Sequence, residues 1–219
     1  MPSVAEAHKD DYLTDTFVFV TLDRNELEIE YFLDGQFSPR ALGHRLGVEY
    51  GFSDHLMGDV AMSWMQNSGG PTAFSGGFVE LRYRFGEESQ HLLDRAASIE
   101  YRVERDPADG ETRHLLEPRL VLNKDFGDYN VTLNLAYAID LEKPGESAPE
   151  IALGFRSPAF GPFRAGLELR RELATENVFS VVPQAWVRFS DDAYVKVGFG
   201  KNLAASRESF VRVALEMEF

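Results

Sequence analysis

Charged side chains recur at every second position along many stretches of this 219-residue sequence. Glu80, Arg82 and Arg84, for example, alternate with apolar residues. Because alternate residues of a β-strand point to the same side, the pattern predicts a face on which both signs of charge meet. Ion pairs between neighbouring strands could hold this face together, or the face could line a pore and orient a solute by its field. Both interpretations stay open on the sequence alone.

The residues predicted to line such a pore come from most of the alternating stretches, and acidic and basic side chains both contribute. They are Glu49, Asp59, Glu80, Arg82, Arg84, Glu100, Arg102, Glu117, Arg119, Arg156, Arg164, Glu168, Arg170, Arg188, Lys196, Arg212 and Glu216.

Other chemistry has little support in the sequence. The five histidines are His8, His44, His55, His91 and His114. Their spacing does not suit a metal site, and His44 and Ser63, on adjacent stretches, fall on opposite faces, which disfavours Ser–His catalysis. The acidic run 106–111 indicates an ordinary turn, with weak calcium binding as the alternative. We therefore expect no catalytic residues, no metal ligands and no cofactor.

The last stretch of the sequence shows the element that must position the charged face. From Phe210 to Phe219, Val211, Val213 and Leu215 fall on one side and charged or small residues fall on the other. This alternation predicts a strand with one apolar and one polar face. Bacterial outer-membrane barrels commonly end on such an aromatic strand, which resembles the signal that their assembly machinery binds.

About twelve segments alternate in this way, each close to the roughly ten residues of a membrane-spanning strand. No helical period separates them, and no apolar run approaches the ~20 residues of a membrane helix. The sequence therefore predicts an all-β fold, a transmembrane antiparallel up-and-down β-barrel of about 12 strands. The segments are 26–33, 45–52, 56–64, 79–85, 99–104, 116–123, 130–140, 150–156, 163–170, 181–189, 195–200 and 210–219.

Connections between the segments alternate between short turns and longer polar loops, such as 35–41 and 105–113, as in outer-membrane barrels. Residues 17–22 could add a strand, but single-chain bacterial barrels have even strand counts. We therefore divide the chain into an N-terminal leader, 1–25, periplasmic or plugging, and a barrel, 26–219. No signal peptide pattern is present, so the chain is expected to be a mature protein behind an added start methionine. Pro118 and Pro183 are expected at bulges or strand ends.

A soluble barrel with its apolar face inward is the alternative. Twelve strands would make that interior too wide for side chains to fill, and aromatic residues near segment ends, such as Tyr31 and Phe189, match membrane-interface girdles. The chain has no cysteine, and its net charge of −14 disfavours nucleic acid as a partner. These features favour the bacterial outer membrane of a Gram-negative cell.

Several segments resemble outer-membrane proteins of the phenol-degradation meta-pathway type. They are Arg45–Leu56, Phe78–Phe85, Leu116–Gly127 and 182–198. The resemblance covers most of residues 40–219. It implies a barrel of about twelve strands and uptake of small, often hydrophobic or aromatic molecules.

The sequence therefore predicts a porin-like channel for passive diffusion of small molecules, including hydrophobic or aromatic ones, through a charged lumen. A structural or lipid-modifying barrel without a conducting pore is the alternative. The expected partners are outer-membrane lipid and lipopolysaccharide, the small-molecule solute, and the barrel-assembly machinery, which would bind the strand that ends at Phe219.

Overall fold

A computed structural model describes residues 11–14, 16–38, 40–88, 90–173, 178–203 and 209–219. Within these ranges the chain forms twelve antiparallel strands that close into one barrel, with β1 hydrogen-bonded to β12. The strands are β1 (Leu27–Phe37), β2 (Arg40–Ser53), β3 (Leu56–Asn67), β4 (Thr72–Arg84), β5 (Asp94–Arg105), β6 (Thr112–Phe126), β7 (Tyr129–Asp140), β8 (Ala148–Arg156), β9 (Phe163–Glu172), β10 (Val178–Ser190), β11 (Ala193–Asn202) and β12 (Ser209–Glu218).

The predicted fold class is confirmed, and each alternating segment of the sequence corresponds to one strand. Every strand pairs with its sequence neighbour, which is the up-and-down order. A single 3-10 turn, Pro144–Glu146, interrupts the strand pattern of the described residues. No helix in the same residues is long and apolar enough to cross a membrane.

The two faces of the wall are inverted relative to a soluble barrel. Val60 and Leu81 are 52% and 50% exposed on the outside, whereas Arg82 and Lys196 are each 1% exposed. Charged side chains therefore fill the interior, and apolar side chains form the outer surface. Burial of charge is tolerated only when the charges are paired or hydrogen-bonded, so the interior must supply its own partners.

One rim of the barrel carries the end of β12, the turn at 54–55 and the turn at 127–128; we call it the turn rim. The opposite rim carries the connections 68–71, 106–111 and 141–147; we call it the loop rim. The prediction of a longer loop over 35–41 is wrong. Strands β1 and β2 extend past it, because Gln36 pairs with Ala41 and Phe37 with Arg40, so that only 38–39 connect them.

Pro118 lies inside β6 and Pro183 lies inside β10, so neither is at a strand end. The pairing of β6 with β7 skips Glu117 and Pro118, and the pairing of β10 with β11 skips Val182 and Pro183. Because proline has no N–H to donate, each ladder is interrupted on one side of the strand while the other side stays paired.

Residues 11–25 precede β1, and their described part forms no strand. We call this stretch the N-terminal segment. It lies within the barrel, where its apolar side chains are buried against inward-facing residues of the wall. Three small apolar clusters join segment and wall: Tyr12 and Val18 with Trp186, Leu13 with Phe32 and Ala214, and Phe19 with Ala96 and Val121.

Candidate functional site

A vestibule of about 790 Å³ lies in the lumen at the loop rim. Strands β1 to β6 supply its lining, because the inward positions at their loop-rim ends are polar or small. Arg40, Arg105 and Arg113 carry its positive charges, and Glu104 and Asp106 are among its acids. The vestibule can therefore admit a small polar or amphipathic molecule and present both signs of charge to it.

A smaller inner chamber of about 230 Å³ shares Ser75 and Glu104 with the vestibule. Asp11, Tyr12 and Phe17 of the N-terminal segment are among its lining residues. The two cavities are therefore neighbours, and the N-terminal segment borders the inner one and occupies the lumen toward the turn rim.

Amide and hydroxyl side chains of one wall hold the backbone of the segment. Asn134 of β7 accepts from the Phe17 N–H at 2.9 Å and donates to the Phe17 carbonyl at 2.8 Å. Gln184 of β10 accepts from the Leu13 N–H at 2.8 Å. We call the inward faces of β7 to β11 the amide wall. These bonds satisfy buried backbone groups that water would otherwise have to reach.

Cationic side chains hold the segment from several directions. Arg82 makes an ion pair with Asp11 at 2.8 Å, and Lys196 donates to the Asp11 carbonyl at 2.7 Å. The Phe17 ring lies 3.9 Å from the Arg82 guanidinium and 4.3 Å from that of Arg119. Desolvated cation–π contacts of this kind contribute about 2 kcal/mol each. The segment is therefore bound by charge as well as by its backbone.

Glycines on the inward face make room for the segment. A Cβ at Gly198 would lie 2.5 Å from a Leu13 methyl carbon, and a Cβ at Gly154 would lie 2.5 Å from the Tyr12 ring. Any larger residue at either position must push the segment or the wall aside. Gly154 and Gly198, which give no distinctive signal in the sequence, are thus part of the surface that binds the N-terminal segment.

A diagonal row of carboxylates crosses the lumen from β1 to β6, one from each strand. The register places each acid directly opposite the next: Glu28, Glu49, Asp59, Glu80, Glu100 and Glu117. We call this row the acidic belt. All six are buried. Like charges directly opposite on neighbouring strands are destabilising, so the belt requires compensating cations.

Arginine supplies that compensation on β4, β5 and β6. Arg82 pairs with Glu80 at 3.2 Å, and Arg102 pairs with Glu100 at 2.6 Å. Arg119 pairs with Glu117 at 2.5 Å, so all three arginines stand two residues after the acid on the same strand. The sequence alternation predicts ion pairs between neighbouring strands. Such pairs also exist, as between Lys196 and Glu216 at 2.6 Å.

Strands β1 to β3 lack this arrangement, since the residue two positions after the acid is Glu30, Gly51 or Ala61. Instead, Glu30, Glu49 and Asp59 bring one carboxylate oxygen each within 4.8 Å of the others. Glu28, Glu30 and Glu216 do the same. Carboxylate oxygens are ligands for hard divalent cations, so these groups could hold a metal. Histidine spacing and the acidic run 106–111 do not predict these groups, because they depend on strand register.

At the turn rim, Glu26 lies where the N-terminal segment joins β1. Burial raises the pKa of Glu26 to about 7, and both a hydrogen bond from the protonated Glu26 to Glu218 and the negative charge of Glu218 add to the rise. The Asp23 N–H donates to Glu26 at 2.8 Å and opposes the shift. This carboxyl therefore titrates near neutral pH at the base of the segment.

The predicted pore-lining residues occupy inward positions along their strands. The buried ones are Glu49, Asp59, Glu80, Arg82, Arg84, Glu100, Glu117, Arg119, Glu168, Lys196 and Glu216. Arg102, Arg156, Arg164, Arg170 and Arg212 are half-buried. Arg188 is exposed at the turn rim, near Asp191. His44 lies on the outer surface, bonded to Tyr31, while Ser63 lines the inner chamber. His8 and the rest of residues 1–10 lie outside the described residues.

No family model and no curated protein matches the sequence. Among solved structures, the chain is similar to the COG4313 outer membrane channel from Pseudomonas putida F1, with a TM-score of 0.72 and 11% identity over 95% of this chain and 99% of that one. It is also similar to the KdgM porin (TM-score 0.67, 14% identity, 88% and 99% covered) and the NanC porin (0.67, 10%, 86% and 98%). A second KdgM structure is a complex with disordered oligogalacturonate. At these identities the likeness establishes a shared barrel fold.

Proposed function

We propose that this barrel is an outer-membrane channel through which small molecules diffuse passively. The observation that carries the proposal is the inverted wall, apolar outside and charged within, which encloses neighbouring cavities, one of them at the loop rim. An apolar exterior of this kind is stable only against hydrocarbon or a partner protein. A buried charged lumen with open volume suits passage of a polar or amphipathic solute.

The N-terminal segment acts in this proposal as a plug at the periplasmic end. The division into a leader, 1–25, and a barrel, 26–219, is part of the proposal, because the described residues of the segment add no strand to the wall and are attached to it mainly through side chains. The hydrogen bonds and ion pairs of the segment can break while the backbone hydrogen bonds between the barrel strands stay intact. Passage of anything larger than an ion then requires the segment to move.

The bacterial outer membrane is the proposed location, with lipid and lipopolysaccharide around the apolar surface and the assembly machinery binding the strand that ends at Phe219. Heat-modifiable migration on gels and recovery in the outer-membrane fraction test the location. Recovery of a folded monomer in buffer without detergent would contradict it.

Small solutes with an aromatic or hydrophobic part are the first candidates, because the sequence resembles the phenol-degradation meta-pathway proteins. The oligogalacturonate complex of a similar barrel supports interaction of this fold with small polar solutes. The acidic belt adds a further expectation, since buried carboxylates along the path favour cations over anions.

Single-channel recording in planar bilayers tests the proposal. We expect discrete conductance steps, a reversal potential that shows cation preference, and solute uptake in liposome swelling. Deletion of residues 2–24 should enlarge the steps. Absence of steps from both proteins, with no uptake, would reject the channel.

The filled turn-rim half of the lumen specifically favours a second candidate, a structural or lipid-modifying barrel without a conducting pore. The same recordings separate the two, because a closed barrel gives no steps. A changed acyl pattern in membranes that contain the protein would favour lipid modification.

A further inference from the structure

We propose that Glu30, Glu49 and Asp59 form a calcium site on the lumen wall, where β1, β2 and β3 lie side by side. Each strand supplies one carboxylate, and the register brings them together because Glu49 pairs directly with Asp59 while Glu30 pairs with Gly47, two residues before Glu49. Their nearest oxygens lie within 4.8 Å of one another. The proposal does not depend on whether the lumen conducts.

Three carboxylate oxygens within 4.8 Å of one another could bind a hard divalent cation. Ca²⁺ binds oxygen at about 2.3–2.6 Å with six to eight ligands in flexible geometry, whereas Mg²⁺ binds at about 2.0–2.1 Å and demands near-ideal octahedral geometry. Carboxylates held on three separate strands favour the ion with the less exacting geometry, and water from the adjoining chamber can complete its ligands.

Asp59 gives an independent indication that a ligand is missing from the protein's own contacts. The side chain is 93% buried, with a relative exposure of 7%, and its Oδ1 accepts no hydrogen bond from any described residue. This oxygen points toward the position that a Cβ on Gly47 would take, at 3.6 Å, while the Glu30 Oε2 lies 3.4 Å from the same point. A buried carboxylate oxygen without a partner costs about 1–3 kcal/mol or more.

The nearby cations also have other contacts. Arg45 lines the same chamber, and its guanidinium lies over the Phe32 ring at 3.8 Å. Arg82 is bound by Asp11 and Glu80, and Lys196 by Glu216 and the Asp11 carbonyl. A divalent cation would add positive charge where the three carboxylates converge.

The site faces the inner chamber, which adjoins the vestibule at the loop rim. Glu30, Glu49, Asp59 and Asp11 all line that chamber. A bound ion would join three neighbouring strands close to the tip of the N-terminal segment. We expect it to make this part of the lumen less negative and the three strands harder to separate.

Isothermal titration calorimetry of the full chain, refolded in detergent so that no lipopolysaccharide is present, tests the proposal. Titration with CaCl₂ should show one saturable site, with a Kd in the range of about 10⁻⁴–10⁻³ M that is typical of extracellular calcium modules. MgCl₂ should bind at least several-fold more weakly. Absence of saturable calcium binding to the wild-type chain would overturn the proposal, as would equal or tighter binding of magnesium.

Two variants locate the site. Asp59→Asn should abolish the calcium heat, and Glu49→Gln should do the same where Asp59→Asn fails to fold. Asp109→Asn, in the acidic connection 106–111, is the matched control and should bind calcium like the wild type. Calcium binding that survives both lumen variants, or that disappears in Asp109→Asn, would place the ion elsewhere and overturn the proposal.

Discussion

The two halves of the acidic belt solve the same electrostatic problem in different ways. On β4 to β6, each acid has an arginine two residues further along its own strand, at 2.5–3.2 Å. On β1 to β3, the corresponding positions hold Glu30, Gly51 and Ala61, and carboxylates converge instead. One continuous row of acids therefore has two environments. On β4 to β6 each acid is paired with an arginine of its own strand, and we call this the paired half. On β1 to β3 the acids converge on one another, and we call this the converging half.

The paired half also holds the N-terminal segment. Arg82 bonds both Glu80 of the belt and Asp11 of the segment, so one guanidinium connects the two. The amide wall completes the grip through neutral groups such as Asn134. Arginines thus hold the segment on one side of the lumen, and amides together with Glu168 and Lys196 hold it on the other.

The largest expected effect comes from breaking the paired half. Arg82→Met should destabilise the folded barrel by about 3–5 kcal/mol, because Glu80 and Asp11 would stay buried without their cation. Urea unfolding in detergent measures the change. Arg40→Gln, at the vestibule, is the control and should stay within about 0.5 kcal/mol of the wild type. A similar, small loss in both variants would contradict the account of the paired half.

A bulky residue at Gly198 should displace the N-terminal segment without altering the acidic belt. Gly198→Leu should disfavour the docked segment by about 1–3 kcal/mol through overpacking against Leu13, which raises the displaced population roughly ten- to a hundredfold. Protease cleavage of the segment and single-channel conductance report the change. Gly145→Leu, at a position with no atom within 4 Å, should leave both readings unchanged.

Removing an acid from β1 to β3, the converging half of the belt, should change the stability of the barrel in the opposite direction. In a calcium chelator, Asp59→Asn should stabilise the barrel by roughly 0.2–1 kcal/mol, because it removes a like charge opposite Glu49 and Glu80. Glu117→Gln should destabilise it, because Arg119 loses its partner. Urea midpoints of the two variants measure this difference. Destabilisation by both variants would show that the two halves behave alike.

Much of the barrel follows from the sequence because period-two alternation is a local property of each strand. Alternation predicted the twelve strands and the inward positions of residues such as Glu80 and Lys196. It could not predict which inward residues meet, because register depends on the extension of β1 and β2 past the expected loop over 35–41. The belt and the carboxylate cluster both depend on register, whereas the same-strand pairs join residues two positions apart on one strand.

The alternation of apolar and polar residues also could not predict how the N-terminal segment packs in the barrel. Its contacts are long-range, such as Leu13 with Gln184 and Asp11 with Arg82. The partners are amides and glycines, which carry no periodic signal of their own. The odd strand count indicated only that residues 1–25 stand apart from the wall.

The smallest expected effect concerns pH at the base of the segment. The pKa of Glu26 is raised from its ordinary value of 4.5 to about 7, so the folded state holds its proton more tightly than the unfolded chain. Its contribution to stability is complete below about pH 4.5 and is lost as the pH rises toward 7. Urea midpoints measured between pH 5 and 8 should show this slope in the wild type and a shallower one in Glu26→Gln. Equal slopes would contradict the role of Glu26.

The most direct test of a lumen closed by its own N-terminal segment uses the absence of cysteine from the chain. Leu13 lies against Gly198, so Leu13→Cys and Gly198→Cys together should form a disulfide that ties the segment to β11. Single-channel conductance is then recorded before and after reduction. The account predicts small or absent steps when the disulfide is formed and restored, larger steps once it is reduced. Equal conductance in the two states, with the disulfide verified by mass spectrometry, would contradict it.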